Sequence, residues 1–395
     1  MSGSATGDDT NEKLHVYLIA GEPSGDVIGA RLIEALRAGG GVRLSGVGGP
    51  EMARAGLESL FPYGELAIMG LTEVLPSVPR ILGRMRSVAR HIGEVRPDVI
   101  VTIDSPGFVF GVIRRLASRD CPRVHYVAPT IWAWRAGRVK KFRRHFDHLL
   151  ALFPFEPPLF EAAGLACTFV GHPAAEGDVA SGDGAGFRAR HGIWADDTLL
   201  CLLPGSRRGE VSKLAPVAEE VVTTLLAEHP DLRIVIPAAP NVRADIDRFA
   251  ARLGDAVLVV DGTTERYDAF AASDLALAAS GTVTLELAYA GVPTVVMYRV
   301  GRLTGEIARR MIRVRYASIV NIVAEREVFP EFLQSRCEPG PISSAVLALL
   351  SQPEKAAEIG RAASGIARDV SGQDGKPSMR AAETIRSIVA TWRSR

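Results

Sequence analysis

Two glycine-punctuated loops carry the residues best suited to hold a charged ligand. They are Leu202-Leu203-Pro204-Gly205-Ser206-Arg207-Arg208-Gly209-Glu210 and Ala279-Ser280-Gly281-Thr282-Val283-Thr284-Leu285-Glu286. Each follows an apolar run and opens an amphipathic stretch, the pattern of a strand, a tight turn and a helix N-terminus. Such a junction aims backbone N–H groups and the positive end of a helix dipole at whatever sits above it. Gly205, Ser206 and Arg207, with Ser280, Gly281 and Thr282, therefore form a candidate seat for a nucleotide diphosphate. Arg207 would neutralise phosphate and Glu286 would grip ribose hydroxyls.

The first half offers a different chemistry. An apolar run ends in Ile103-Asp104-Ser105-Pro106-Gly107, delivering the carboxylate of Asp104 to the end of a strand. There it could accept a proton from an attacking hydroxyl, or cap the helix that follows. The earliest loop, Ala20-Gly21-Glu22-Pro23-Ser24-Gly25-Asp26, also ends a strand. It reads as ligand-facing through Gly21, Glu22, Ser24 and Gly25, or as a plain turn with Ser24 or Asp26 as helix cap. It is not the Gly-x-Gly-x-x-Gly dinucleotide fingerprint. Downstream, Trp132, Trp134 and Arg135 follow another apolar run, and Arg138, Lys141 and Arg144 surround a helical face of Val139, Phe142 and Phe146. This favours a phosphate-bearing substrate or an anionic lipid surface over nucleic acid, with a solvated helix face as the plain alternative. The stretch Leu66–Ile92 is apolar with basic polar positions (Arg80, Arg84, Arg86, Arg90), suited to an acyl-chain pocket, an interfacial helix or a core helix entered through Pro79. A second basic amphipathic stretch is Ile307–Val314. Asp245-Ile246-Asp247 resembles a metal-binding pair by letter, but its helical context reads as surface charge. His172 reads as a structural residue closing the first half.

The elements that would position these groups alternate along the chain. Short apolar runs fall at 14–20, 43–47, 98–103, 123–127, 149–153 and 167–170, then at 198–203, 232–236, 256–260, 275–278 and 294–297. Helical-period stretches separate them, so the fold class is α/β, with parallel sheets covered on both faces. A glycine-rich polar gap at 176–190 is the expected linker. It divides two doubly wound Rossmann-like domains, 14–175 and 191–352, facing a cleft. Residues 1–13 read as a disordered tail, neither signal peptide nor anchor, and 353–395 as a helical tail packing back on the N-terminal domain or exchanged with a partner subunit.

Composition narrows the function classes. Lysine and arginine (46) nearly balance aspartate and glutamate (45), a formal charge of +1, so no global field recruits nucleic acid. The four cysteines, Cys121, Cys167, Cys201 and Cys337, contain no Cys-x-x-Cys pair, which disfavours zinc and redox motifs and suits a reduced cytosol. No stretch approaches the roughly 20 apolar residues of a membrane span. A soluble or at most peripheral protein is expected.

Taken in order, several of these motifs resemble lipid-A-disaccharide synthases, glycosyltransferases of GT-B type. The resemblance rests on Ala20–Asp26, Gly46-Val47-Gly48-Gly49-Pro50, Met69-Gly70, Ile103–Pro106, Trp132-Ala133-Trp134-Arg135, Gly171-His172-Pro173, Leu203–Arg207, Ser280-Gly281-Thr282, Glu286 and Asn321. It implies transfer from UDP-2,3-diacylglucosamine to 2,3-diacylglucosamine 1-phosphate, with inversion, release of UDP, and neither metal nor cofactor. It assigns Asp104 as general base and places Arg207, Glu286 and Asn321 on the donor side. It also implies peripheral attachment to the inner face of the cytoplasmic membrane, and a possible homodimer through exchanged C-terminal segments. Gly107 departs from the pattern, standing where some relatives carry a second acid, so Asp104 would act alone. Rival expectations are a UDP-N-acetylglucosamine 2-epimerase or another GT-B transferase, and a non-catalytic nucleotide-sugar or anionic-lipid binding protein.

Overall fold

The computed structural model describes residues 13–65, 74–129, 139–299, 315–372 and 375–395. These residues form two units, the first taking those of 13–173 and 375–395, the second those of 174–372.

The first unit is a parallel sheet of six strands: β1 (Leu14–Ala20), β2 (Val42–Val47), β3 (Val99–Ile103), β4 (Arg123–Tyr126), β5 (His148–Ala151) and β6 (Ala166–Phe169). Their spatial order is β2-β1-β3-β4-β5-β6. Helices α1 (Pro23–Ala38), α2 (Pro50–Arg54), α3 (Val74–Val95), α4 (Pro106–Ile113), α5 (Val139–His145) and α6 (Glu156–Glu161) connect them. The second unit starts with α7 (Gly184–Arg190) and repeats the plan. Its strands are β7 (Leu199–Leu203), β8 (Arg233–Pro237), β9 (Val257–Val260), β10 (Leu275–Ala279), β11 (Thr294–Tyr298) and β12 (Glu331–Leu333), in the order β12-β11-β10-β7-β8-β9. Between them run α8 (Arg208–Glu228), α9 (Arg243–Leu253), α10 (Thr263–Ala272), α11 (Thr282–Tyr289) and α12 (Ile319–Ala324). The chain ends in α13 (Pro339–Leu350), α14 (Pro353–Ser371) and α15 (Pro377–Arg393).

Strand residues alternate between two hydrophobic cores in the second unit. Leu200, Leu202, Ile234 and Leu277 pack on one face with α8 and α9, while Leu199, Cys201, Val235 and Ala278 pack on the other with α7 and α10. Both faces being covered, the strands need no polar alternation, which is why they stand out as unbroken apolar runs. Proline at the first turn starts α1, α2, α4, α13, α14 and α15, where its missing N–H costs no helical bond.

Every expected strand forms. Among the described residues the one missed is β12, whose three residues at the sheet edge are too short to show a period. The expected linker, 176–190, is folded instead. Residues Asp178–Ser181 form a 3-10 turn, Asp183 caps α7 through Gly186 N (2.8 Å), and Phe187 is fully buried. Its glycines serve close packing: a Cβ on Gly182 would lie 2.3 Å from the Tyr267 carbonyl oxygen, and one on Gly184 2.5 Å from that of Ala271. The C-terminal tail is divided. Helix α14 packs on α11 and α12 in the second unit, whereas α15 packs on α1 in the first and buries Ala381, Ile385 and Val389.

Candidate functional site

Each sheet has one point where the chain order reverses. In the second unit this lies between β7 and β10, whose register pairs Leu203 with Ala278. The loops leaving those two strands are thereby set side by side at their carboxyl ends, where open α/β sheets bind ligands. A cavity of about 420 Å³ opens there, closed laterally by the loops after β8 and β9. Gly205, Ser206, Arg207, Ser280, Gly281, Thr282 and Glu286 all line it.

The two loops differ electrostatically. The carboxylate of Glu210 accepts hydrogen bonds from Ser206 N (3.1 Å) and Arg207 N (3.3 Å) and pairs with the Arg207 guanidinium at 3.0 Å. The Ser206 and Arg207 amides of the first loop are thus already capped from within α8. In the second loop Gly281 is the N-cap of α11, makes no side-chain cap bond, and a Cβ placed on it would meet open space. The cavity also contains Arg266, absent from the sequence-based site. It donates to Glu286 Oε1 at 3.3 Å, and among the described residues its buried Nε has no hydrogen-bond partner. The available sequence signal was Gly262-Thr263 following β9, the same strand–turn–helix junction as the other loops.

Asn321 does not line the cavity. It is fully buried, donating to the Phe329 carbonyl and to Glu331 Oε1 and accepting from Val328 N and Phe329 N. Its reach toward the site is indirect. Glu331 also accepts from Ala317 N and Ser318 N, and the Ala317 carbonyl accepts from the Ser280 hydroxyl at 2.8 Å. Asn321 therefore acts as a brace for Ser280.

In the first unit the reversal lies between β1 and β3, with Ala20 paired to Ile103. The Gly21 loop and Asp104 are consequently adjacent, and the Ser24 hydroxyl donates to Asp104 Oδ2 at 3.2 Å. Asp104 is half-buried, and both it and Ser105 have left-handed backbone conformations (φ 50° and 46°). Such strain in residues bearing side chains persists where the surroundings enforce it. Gly21 supplies part of that enforcement, since a Cβ there would lie 2.4 Å from Ser105 Oγ. The N-cap of α4 is Ser105, so the cap position expected as an alternative for Asp104 belongs to its neighbour. The cap role suggested for Asp26 is likewise moved: its buried carboxylate accepts from Gly49 N (2.8 Å), Glu51 N (2.9 Å) and Met52 N (3.0 Å), holding α2 rather than α1. Glu22 is exposed and Gly25 is buried against Ile103.

Tyr63 was not singled out by sequence. Burial, then the charges of Asp26, Glu22 and Asp104, push its phenol well above the ordinary range, and among the described residues its hydroxyl has no hydrogen-bond partner. Trp132, Arg135, residues 307–314 and residues 66–73 of the apolar basic stretch lie outside the described residues. The remainder of that stretch belongs to α3, which buries Met85, Val88 and Ile92 in the core and leaves Arg86 and Arg90 exposed. Val139, Phe142 and Phe146 are also core residues. Asp245 and Asp247 pair with arginines of their own helix. His172 is buried against Phe153, and burial, with Arg31 second, lowers its pKa to about 4. Among the described residues no helix is long and apolar enough to cross a membrane.

The chain matches the family profile described as lipid-A-disaccharide synthetase over residues 16–389. It is 48% identical to the lipid-A-disaccharide synthase of Rhodospirillum centenum over 380 residues, 95% of each chain. It is 45% identical to that of Paramagnetospirillum magneticum over 377 residues, covering 94% of this chain and 96% of the relative. Among solved structures, the UDP-GlcNAc 2-epimerase of Neisseria meningitidis bound to UDP-GlcNAc aligns with a TM-score of 0.62, 14% identity, and coverage of 97% of this chain and 100% of the other. At that identity the likeness is one of fold.

Proposed function

The chain belongs to the lipid-A-disaccharide synthase family, and from this premise we propose how its own residues carry out the condensation. The family's activity makes it a GT-B glycosyltransferase of lipid A biosynthesis. In our reading the donor is UDP-2,3-diacylglucosamine and the acceptor is 2,3-diacylglucosamine 1-phosphate. The products are the β-1,6-linked disaccharide 1-phosphate and UDP. The enzyme works peripherally at the inner face of the cytoplasmic membrane, where acylated substrates partition.

The observation that carries this assignment is Asp104, a carboxylate held at the end of β3 in a strained backbone, with Ser24 fixing one of its oxygens. As the acceptor 6-hydroxyl attacks the anomeric carbon from the face opposite UDP, Asp104 takes its proton and the configuration inverts. A carboxylate suffices because the hydroxyl becomes acidic only as the new bond forms. Tyr63 lies close enough to this carboxylate for its charge to act on the phenol, and its spare hydroxyl is a partner for the acceptor sugar.

On the donor side, departure of UDP develops negative charge on the diphosphate. The N-terminus of α11 with its uncapped Gly281 turn, Arg207 and Arg266 stabilise that charge most as the bond breaks. Glu286 serves the ribose hydroxyls and is oriented by Arg266. Asn321 contributes through Glu331 and Ser280 rather than by contact.

The test supplies both acylated substrates and follows the disaccharide by mass spectrometry. Asp104→Asn should lower kcat by about 10²–10⁴-fold, the range for loss of a general base, while UDP binding stays unchanged. Absence of product with the wild-type chain would sink the assignment. Conversion of UDP-N-acetylglucosamine alone to its manno epimer, seen by NMR, would replace it with epimerase chemistry. Binding of both substrates without Asp104-dependent turnover would indicate a carrier.

A further inference from the structure

A second cavity, of about 820 Å³, lies at the opposite end of the first unit's sheet from Asp104. It is built where β3 and β4 begin, between the last turns of α3, the segment after α4 and the end of α15. Asp98 and Ile100, which line it, stand six and four residues before Asp104, roughly 20 and 13 Å at the usual rise per residue. Its volume falls within the range of small-molecule sites, about 300–1,000 Å³.

Among the described residues, six arginines line this cavity: Arg86, Arg90, Arg96, Arg115, Arg123 and Arg393. Two acids line it as well, and both are occupied. Asp98 accepts from His15 N (2.8 Å) and from Arg393 (2.6 Å), and Asp120 accepts from the Ser118 hydroxyl. Arg86, Arg90 and Arg96 make no ion pair among the described residues, and Arg115 is spent on the Gly111 carbonyl and the Met85 sulfur. Arg123 is the least accommodated. Only 5% exposed, it donates to the Ser118 carbonyl (2.6 Å), yet its Nε has no partner among the described residues, and burial lowers its pKa. Arg96 follows the last residue of α3 with φ 44°, a position where glycine is the favoured residue. The helix dipole accounts for one cation there, not for a cluster of this size. Between the arginines the wall is apolar, with Ile92, Ile100 and Leu116.

Like charges gathered around a concave surface raise the local concentration of anions, and arginine forks match phosphate oxygens in pairs. We infer that this cavity is an anion-binding site, separate from the donor and acceptor ends, for a phosphate group carried on an organic body. The arginines would hold the phosphate and the Ile92–Ile100–Leu116 wall the carbon skeleton. The inference does not depend on the transferase assignment.

The full-length chain is titrated with inorganic phosphate and with glycerol 3-phosphate by calorimetry at constant ionic strength. Vesicles of phosphatidylglycerol, with phosphatidylcholine as control, are tested by sedimentation. Three proteins are compared: wild type, Arg90→Glu/Arg96→Glu, and Arg207→Ala, which weakens the donor seat. One saturable site is expected, with glycerol 3-phosphate bound more tightly than phosphate. It should be retained in Arg207→Ala and weakened at least tenfold in the double variant, with transferase turnover and unliganded Tm unchanged. Should the double variant fold poorly, Arg90→Gln/Arg96→Gln takes its place. Phosphatidylglycerol binding with the same arginine dependence, without response to soluble phosphates, would support the site and assign its phosphate to a lipid headgroup. Binding that follows Arg207 instead of Arg90 and Arg96, or no saturable binding of any probe, would overturn the inference.

Discussion

Asp104 and Ser105 are strained together, and the strain is useful only if the surrounding contacts hold it. Gly21 is the contact most easily altered. Gly21→Ala places a methyl 2.4 Å from Ser105 Oγ, so the loop carrying Asp104 must shift. Turnover should fall by about tenfold or more, because misplacement of a catalytic group by about 1 Å costs up to 10²-fold. UDP affinity, measured by calorimetry, should not change. Glu210 gives a prediction of opposite sign. Its carboxylate occupies the Ser206 and Arg207 amides and pairs with Arg207, so it competes with a diphosphate for the same donors. Glu210→Gln should bind UDP several-fold more tightly, with a loss of about 0.5–1 kcal/mol in stability from the weakened helix start. Weaker UDP binding in this variant would show that Glu210 helps the seat instead.

At the level of elements, both candidate sites follow from strand register. Pairing Ala20 with Ile103 puts the Gly21 loop beside Asp104, and pairing Ala278 with Leu203 puts the Gly281 loop beside Gly205. The apolar runs show where each strand ends, so these loops are legible in the amino-acid sequence alone. What sequence misread was the purpose of a composition. Gly182 and Gly184 resemble linker residues but permit backbone-to-backbone approach on α10, information that resides in Tyr267 and Ala271, far along the chain. The terminal helices were visible as helices, but not their division between units. Helix α15 is bound to the first unit by Arg386 to the Leu36 carbonyl (2.6 Å), Arg380 to the Val170 carbonyl (2.9 Å) and Arg393 to Asp98. Removing residues 375–395 should therefore raise hydrogen exchange in α1 and β1 and leave β7–β10 protected. Equal loss of protection in both units would refute that placement.

For the molecule as a whole, stability should depend on pH through its buried histidines. Burial holds His125 at about 3, and burial with Arg31 holds His172 at about 4, against an ordinary value of 6.5. Both are neutral in the native state, so the unfolded chain binds more protons between those values and 6.5. Their contribution is complete above pH 6.5 and is lost as pH falls, at about 1.4 kcal/mol per pH unit for each histidine. Tm should drop from pH 7 to pH 5, and His172→Phe should make that drop shallower. The sequence by itself determined the α/β class, the strands long enough to show a pattern, and the loops that bear Asp104, Arg207 and Glu286, because these depend on periodicity and turn chemistry within a few residues. Only the tertiary structure decided that Asn321 braces Ser280 from within the core, that Arg266 and Tyr63 reach the two sites, and that six arginines from four separate segments meet in one cavity. Those relations join residues tens to hundreds of positions apart. Sheet order and helix packing, rather than any local preference, bring them within reach.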